Sequence, residues 1–275
     1  MSSRRSDSMV VAFVRTPSGS GNYGRSGGGA LSTCAVALPG LSGVRAIAAG
    51  VAHSLALLEN GTVMAWGSYF YGQLGDGTTT MRTAPVLVPG LSGVRAIAAG
   101  AVHSLALLAD GTVWAWGRND CGQLGDGTTV NSATPVQVAG LGGVRALAAG
   151  THHSLSLLAD GTVRAWGWNS YGQLGDGTEA YRSTPVLVLG LNGVHAIAAG
   201  FGHSLALLEG GTVMVWGSNA YGELGDGTTA TRTAPVLVPG LCGVRAISAG
   251  AGRSLALLAD GTLRVLGKEL LRPAR

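Results

Sequence analysis

The chain is predicted to be all-β, a β-propeller of four-stranded antiparallel blades. A unit of fifty residues recurs along most of its 275 residues, and each unit holds short apolar stretches separated by glycine-containing turns. No unit has the apolar spacing of a long helix. Repeats of this length are typical of solenoids and propellers, and four short strands per repeat favour the propeller.

The copies define one repeat domain, predicted to span residues 22–267. The four complete copies and the half copy cover residues 43–92, 93–142, 143–192, 193–242 and 243–267. Residues 1–21 are predicted to be a flexible basic tail, and residues 268–275 a second basic tail.

The first copy shows how a blade is built. "VRAIAAG" (44–50) and "HSLALL" (53–58) predict two strands, and the small residues of the first suit a crowded innermost position. "ENGT" follows, and Asn-Gly between apolar runs predicts a hairpin with a type I′ turn. "TVMAWG" (62–67) predicts the third strand. "APVLV" (84–88) predicts the fourth, whose proline fits a strand start or a sheet edge.

A tryptophan and a histidine recur in phase in every complete copy. The tryptophans of the third strand are expected to bury their rings between neighbouring blades. They are Trp66, Trp116, Trp166 and Trp216. The histidines are His53, His103, His153 and His203. Arg253 takes their place in the last copy, which a ring of metal ligands would tolerate badly, so we expect hydrogen-bonding core residues. The alternatives are a metal ligand and a pH-sensitive or interfacial residue.

Several motifs recur together with this period: "AAGxxHSLAL", "DGTVxAWG" and "YGQLGDGT". They resemble the regulator of chromosome condensation repeat family of β-propellers, in a bacterial-type tandem form. The resemblance covers residues 43–267, and a weaker match precedes them. It implies that the histidine and the glutamine of "GQLG" are structural residues that tie strands and adjacent blades together. The glutamines are Gln73, Gln123 and Gln173.

The number of blades and the closure of the ring stay open. Residues 22–41 align with residues 70–91 after a deletion of two residues. On one interpretation they supply a fourth strand to the half copy, and a composite fifth blade clasps the two ends. On the other, the chain is a segment of a seven-bladed protein and forms an open arc, whose exposed edges allow self-association.

Charge and composition exclude several classes of function. The net charge of +4 lies in the tails, because the body from 43 to 267 has eleven arginines against twelve acidic residues. Nucleic acid is therefore not an expected partner. The histidine and serine that adjoin in each copy point to opposite faces of a strand, so they cannot form a catalytic pair. We predict that the chain is no enzyme and has no catalytic, cofactor-binding or metal-binding residues.

The sequence alone does not determine the cellular compartment of the protein. No signal peptide or membrane span is recognisable, so a cytoplasmic location is the default expectation. A longer reading frame with a signal sequence would instead place the protein outside the cell.

Positions where the copies differ are the candidates for function. Two such sites follow the "AAG" and the third strand of each copy, and their aromatic and charged residues are candidate contacts. These are Tyr69, Phe70, Arg118, Trp168, His152 and Phe201. The predicted function is a non-catalytic interaction or scaffold propeller that binds another protein. The alternatives are a guanine-nucleotide exchange or chromatin-binding factor, as the resemblance to the family's namesake implies, and a fragment of a larger secreted repeat protein.

Overall fold

The computed structural model describes residues 38, 40–68 and 70–267. These residues form nineteen strands and no helix. The first sheet contains β1 (Val44–Ala49), β2 (His53–Leu58), β3 (Val63–Gly67) and β4 (Arg82–Leu87). The second contains β5 (Val94–Ala99), β6 (His103–Leu108), β7 (Val113–Gly117) and β8 (Ser132–Gln137). The third contains β9 (Val144–Ala149), β10 (His153–Leu158), β11 (Val163–Gly167) and β12 (Arg182–Leu187). The fourth contains β13 (Val194–Ala199), β14 (His203–Leu208), β15 (Val213–Gly217) and β16 (Arg232–Leu237). The fifth contains β17 (Val244–Ala249), β18 (Arg253–Leu258) and β19 (Leu263–Gly267).

Each sheet is an antiparallel meander in chain order, so the predicted four-stranded blades are confirmed. The fourth strand begins two residues before the predicted Ala84, at Arg82, and ends at Leu87. Both predicted tails lie outside the described residues, and so does nearly all of the segment proposed to complete a fifth blade. The division into domains and the composite blade therefore remain predictions.

The predicted type I′ turn is wrong. In the described residues every positive φ belongs to a glycine, so Asn60 does not adopt the left-handed conformation that this turn requires. The Gly61 N–H donates to the Leu58 carbonyl, the Leu58 N–H donates to the Thr62 carbonyl, and Gly61 has φ +82°. This is a three-residue loop that ends in a left-handed glycine. The Asn60 side chain accepts from the Thr62 N–H at 3.0 Å, which favours this loop.

The five sheets are arranged around an axis with their first strands innermost. The first strand of each sheet contacts the first strand of the next, from β1 and β5 through to β13 and β17. The space between neighbouring first strands is small at their ends. A side chain at Gly100 would place its Cβ 2.5 Å from the Gly150 carbonyl oxygen of the next sheet. Pro85 lies in β4 at the outer edge, where the missing N–H leaves no ladder hydrogen bond unmade.

The hydrophobic core consists of layers between consecutive sheets. In the first layer Leu55 and Val63 of the first sheet pack against Val94 and Trp116 of the second. Trp166 and Trp216 occupy the same position in the next two layers. A blade's face is covered where the next sheet lies against it. Among the described residues, Leu263 of the last sheet is therefore 57% exposed, although Val213 in the equivalent position is fully buried.

Candidate protein-interaction surface

The variable positions lie at one end of the sheets, here called the loop end. Because the strands of a sheet are antiparallel, the connection between its first and second strands and the connection between its third and fourth strands lie at the same end. Residues 150–152 and 168–181 of the third sheet thus share the loop end with residues 200–202 of the fourth. The tight hairpins lie at the opposite end.

Four aromatic side chains meet at the loop end and are here called the Trp168 cluster: Trp168, His152, Tyr171 and Phe201. Trp168 makes edge-on contacts with the other three rings, with centroid distances of 6.0 Å to His152, 5.1 Å to Tyr171 and 5.9 Å to Phe201. Phe201 comes from the fourth sheet, so the cluster bridges two blades. Phe201 is 45% exposed, and the cluster offers apolar surface to solvent.

Hydrogen bonds fix the position of the central indole. The Trp168 Nε1–H lies 2.9 Å from Ser170 Oγ and 3.0 Å from the Tyr181 hydroxyl, and the two hydroxyl oxygens are 2.9 Å apart. Trp168 is partly exposed, and an aromatic residue held in one orientation loses little conformational freedom when a partner binds it. Trp168 therefore has the properties of a binding anchor.

A charged pair lies beside this cluster on the second sheet. Arg118 Nη2 lies 2.5 Å from Asp120 Oδ2, and the guanidinium lies over the Tyr71 ring of the first sheet, 4.9 Å from its centroid. Burial and the positive charge of Arg118 lower the pKa of His152, while the Asp120 carboxylate acts in the opposite direction. His152 is therefore neutral at neutral pH and adds to the apolar character of the surface.

The structure brings most of the predicted contact residues together. Arg118, His152, Trp168 and Phe201 lie at the loop end of three consecutive sheets. Phe70 is 64% exposed at the same end of the first sheet. Tyr69 lies outside the described residues. Their role in binding a partner remains a proposal.

Tyr171 and Tyr181 were not among the predicted contact residues. Tyr171 stands in the recurring motif "YGQLGDGT", where three of the four copies have tyrosine, so its position was not variable. Tyr181 is different, because the equivalent residues are Met81, Asn131 and Thr231. Variation at that position was a signal that the sequence already contained.

The strip after the third strand is not variable throughout. Asn119, Asn169 and Asn219 are fully buried there. The Asn119 side chain donates to Asp126 Oδ1 and to the Thr128 carbonyl, and its Oδ1 accepts from the Leu124 N–H. These asparagines hold the long loop in shape and leave the neighbouring side chains to vary.

The in-phase histidines form hydrogen bonds between blades. His103 Nε2 lies 3.0 Å from Ser154 Oγ of the next sheet, and that hydroxyl donates to the Gln123 carbonyl. The Trp166 indole donates to the same carbonyl at 2.9 Å. Equivalent His–Ser bonds join His53 to Ser104, His153 to Ser204 and His203 to Ser254.

The direction of these bonds fixes the histidine tautomer. Because the Ser154 hydroxyl donates to the Gln123 carbonyl, its oxygen accepts from His103, so Nε2 carries the proton. Nδ1 is buried and has no partner among the described residues. Burial lowers the pKa of His53 and His203 to about 4 and that of His153 to about 3. The His–Ser pairs are fully buried and no substrate can reach them.

The glutamines act mainly through their backbone carbonyls. The Gln73 carbonyl accepts from Ser104 Oγ and from the Trp116 indole, both of the next sheet. Its side-chain Oε1 accepts from the Tyr71 N–H at 3.0 Å. Glu223 occupies the same position in the fourth copy and accepts from the Tyr221 N–H.

Two further properties concern the described residues only. In that part of the chain no three histidine, cysteine, aspartate or glutamate side chains are close enough to hold a metal ion together. No helix there is long and apolar enough to cross a membrane.

Comparison with known protein families identifies the family to which this architecture belongs. The model of the RCC1-like domain matches residues 16–203, and models of the regulator of chromosome condensation (RCC1) repeat match residues 194–223 and 210–258. No curated protein sequence matches at a significant level.

Similar solved structures include human WBSCR16, with 29% identity and a TM-score of 0.73 over 82% of this chain and 61% of that one. Yeast RCC1 (Prp20), solved bound to Kap60, has 29% identity and a TM-score of 0.70 over 82% of this chain and 56% of that one. Prp20p from Saccharomyces cerevisiae has 31% identity and a TM-score of 0.69 over 81% of this chain and 56% of that one. The chain thus spans less than two thirds of the length of each. It belongs to the RCC1-like domain family of repeat propellers.

Proposed function

We propose that this chain is a non-catalytic protein-interaction propeller and that its Trp168 cluster binds the partner protein. The observation that carries the proposal is a partly exposed group of aromatic rings, drawn from two blades and held by hydrogen bonds, most of which stand at positions where the copies differ. Tryptophan, tyrosine and arginine are the residues that most often dominate the energy of protein interfaces. All three occur here side by side.

The chemistry of the surface favours a protein partner with an apolar side chain. His152 is neutral, and the charge of Arg118 is balanced by Asp120 at 2.5 Å. The centre of the surface is thus uncharged and largely aromatic, and the ion pair lies at its margin. Such a centre with a polar rim is the usual arrangement of a protein interface.

The proposal predicts that loss of two rings weakens binding strongly. The variant Trp168→Ala/Phe201→Ala is expected to bind the partner at least about tenfold more weakly, because truncation of an interface anchor costs more than about 1.4 kcal/mol. Affinity capture from the native cell extract identifies the partner, and titration of the purified partner measures the dissociation constant.

The matched control is Tyr221→Ala, which removes an exposed aromatic ring from the loop end of the fourth sheet, outside the cluster. This variant is expected to bind like the unmodified chain. Equal melting temperatures show that the variants are folded. Retention of every partner by the double variant contradicts the proposal.

A second candidate function is supported by the likeness to Prp20p, whose structure was reported with its binding to Gsp1p and histones. On this proposal the chain binds a small GTPase and releases its nucleotide. The assay is the release of a fluorescent guanine nucleotide from a small GTPase of the same organism. Acceleration by the intact chain supports exchange activity, and an unchanged rate leaves the interaction propeller as the function.

A further inference from the structure

Every first strand begins with a β-bulge, and the bulged residue is basic. In the first sheet Val44 pairs with Leu58 and Ala46 with Leu57, so Arg45 between them has no partner residue. The same irregularity occurs in the other four sheets. The five bulged residues are here called the basic rim: Arg45, Arg95, Arg145, His195 and Arg245. A bulge redirects a side chain, and bulges are frequent beside binding sites.

The side chains of the basic rim follow one another along the innermost strands. Arg45 Nη2 donates to the Arg95 carbonyl at 2.6 Å. Arg95 donates to the Val144 carbonyl, and Arg145 to the Val194 carbonyl. Each of these guanidinium groups therefore lies against the bulge of the next sheet. The result is a row of positive charges at the inner side of the blades, at the end opposite the Trp168 cluster.

These guanidinium groups have capacity for a ligand. All four arginines of the rim are exposed, and none forms an ion pair within the described part of the chain. By contrast, Arg82, Arg182 and Arg232 are paired with aspartates. A guanidinium has five N–H donors, and a bond to one carbonyl leaves most of them available.

Acidic residues share this end of the sheets but lie further out. They stand in the hairpins between the second and third strands: Glu59, Asp110, Asp160, Glu209 and Asp260. The three aspartates each accept from the backbone N–H of the threonine two residues on. The hairpins are one strand removed from the axis, so the innermost layer of charge is basic.

We propose that the basic rim binds a compact ligand with several phosphate groups. Guanidinium groups match the geometry of phosphate oxygens and bind them in pairs of hydrogen bonds. A row with an arginine on four of the five sheets matches a ligand with more than one anionic group. The first strands of neighbouring sheets touch each other, so the rim residues follow one another closely and one compact molecule can contact several of them.

The test is calorimetric titration of the full chain with inorganic tripolyphosphate at fixed ionic strength. The variant Arg95→Gln/Arg145→Gln is expected to bind at least about tenfold more weakly, because two charge-assisted contacts are lost. The matched control is Arg164→Gln/Arg264→Gln, which removes the same charge from the third strands β11 and β19. We expect its affinity to stay within about twofold of the unmodified chain, since these arginines lie on the third strands, two strands outside the rim, and salt screens their charge.

Four results would overturn the proposal. Absence of tripolyphosphate binding refutes it directly. Unchanged affinity in the rim variant shows that Arg95 and Arg145 do not hold the ligand and contradicts the proposal. Equal loss in both double variants indicates a general effect of net charge. Citrate binding as tight as tripolyphosphate binding shows that the site does not select phosphate. Melting temperatures of both double variants equal to that of the unmodified chain exclude unfolding as the cause of a loss.

Discussion

Substitution of His103 by alanine is expected to lower the free energy of unfolding by about 3 kcal/mol. The imidazole is fully buried between the second and third sheets, and its Nε2–H is donated to Ser154 Oγ. The variant loses this hydrogen bond and gains a cavity in a closely packed layer. Urea denaturation followed by tryptophan fluorescence measures the change, because Trp166 is buried in the same layer and Trp116 and Trp216 are buried in the two adjacent layers.

His195→Ala is the matched control, since His195 is exposed at the start of β13. Its urea midpoint is expected to equal that of the unmodified chain. An unchanged midpoint for His103→Ala would contradict the structural role of the in-phase histidines. Arg253 fits this explanation, because the described residues place no further sheet against the last one and the side chain is partly exposed.

Acidification is expected to unfold the chain between pH 6.5 and about 4. Burial lowers the folded-state pKa of His53 and His203 from 6.5 to about 4, and that of His103 well below 6.5. The unfolded chain therefore binds more protons than the folded chain once the pH falls below 6.5. Stability is complete above that pH and is lost as the pH decreases towards 4.

The expected size of this effect exceeds that of most single substitutions. At about 1.4 kcal/mol per pKa unit, His53 and His203 each remove about 3 kcal/mol of stability when the pH reaches 4. A domain of this kind has a total stability of roughly 5–15 kcal/mol. Two histidines thus remove a large part of it, and His103 and His153 act in the same direction.

The buried histidines and the carboxylates lose their contributions to stability in different pH ranges. Burial raises the pKa of Asp226, but hydrogen bonds from Thr228 and Arg232 outweigh it and lower the pKa to about 2, so the contribution of Asp226 to stability is lost only below its ordinary pKa of 3.8. Thermal melts across the range are expected to show a falling melting temperature that starts near pH 6.5. The His195→Ala variant should follow the same curve. A melting temperature that stays constant down to pH 4 would contradict the assignment of neutral, buried histidines.

The fold could be predicted because each strand carries its own signal in every copy. The alternation of "HSLALL" and the recurring "AWG" each appear in phase, and the strands lie where those signals lie. The hairpin type was mispredicted because the dipeptide Asn-Gly was considered without the residue before it. Glu59 makes the loop three residues long, and only Gly61 then needs a positive φ.

The candidate surface was only partly predictable, because contacts between blades are invisible in a single copy. Trp168 and Phe201 each stood out as aromatic residues at variable positions, but their edge-on contact joins two sheets. The basic rim was missed for a different reason. Counting charges over the whole body balanced Arg95 and Arg145 against acidic residues that lie one strand further from the axis.

The central claim is that the loop end around the Trp168 cluster is where this propeller meets its partner. Site-specific photo-crosslinking in the native cell tests it most directly, with a photoreactive residue at Phe201 or at Ala159, an exposed hairpin position at the opposite end. We predict a discrete cross-linked partner from position 201 and none from position 159. A partner captured from position 159 alone, or equally from both positions, would contradict the account.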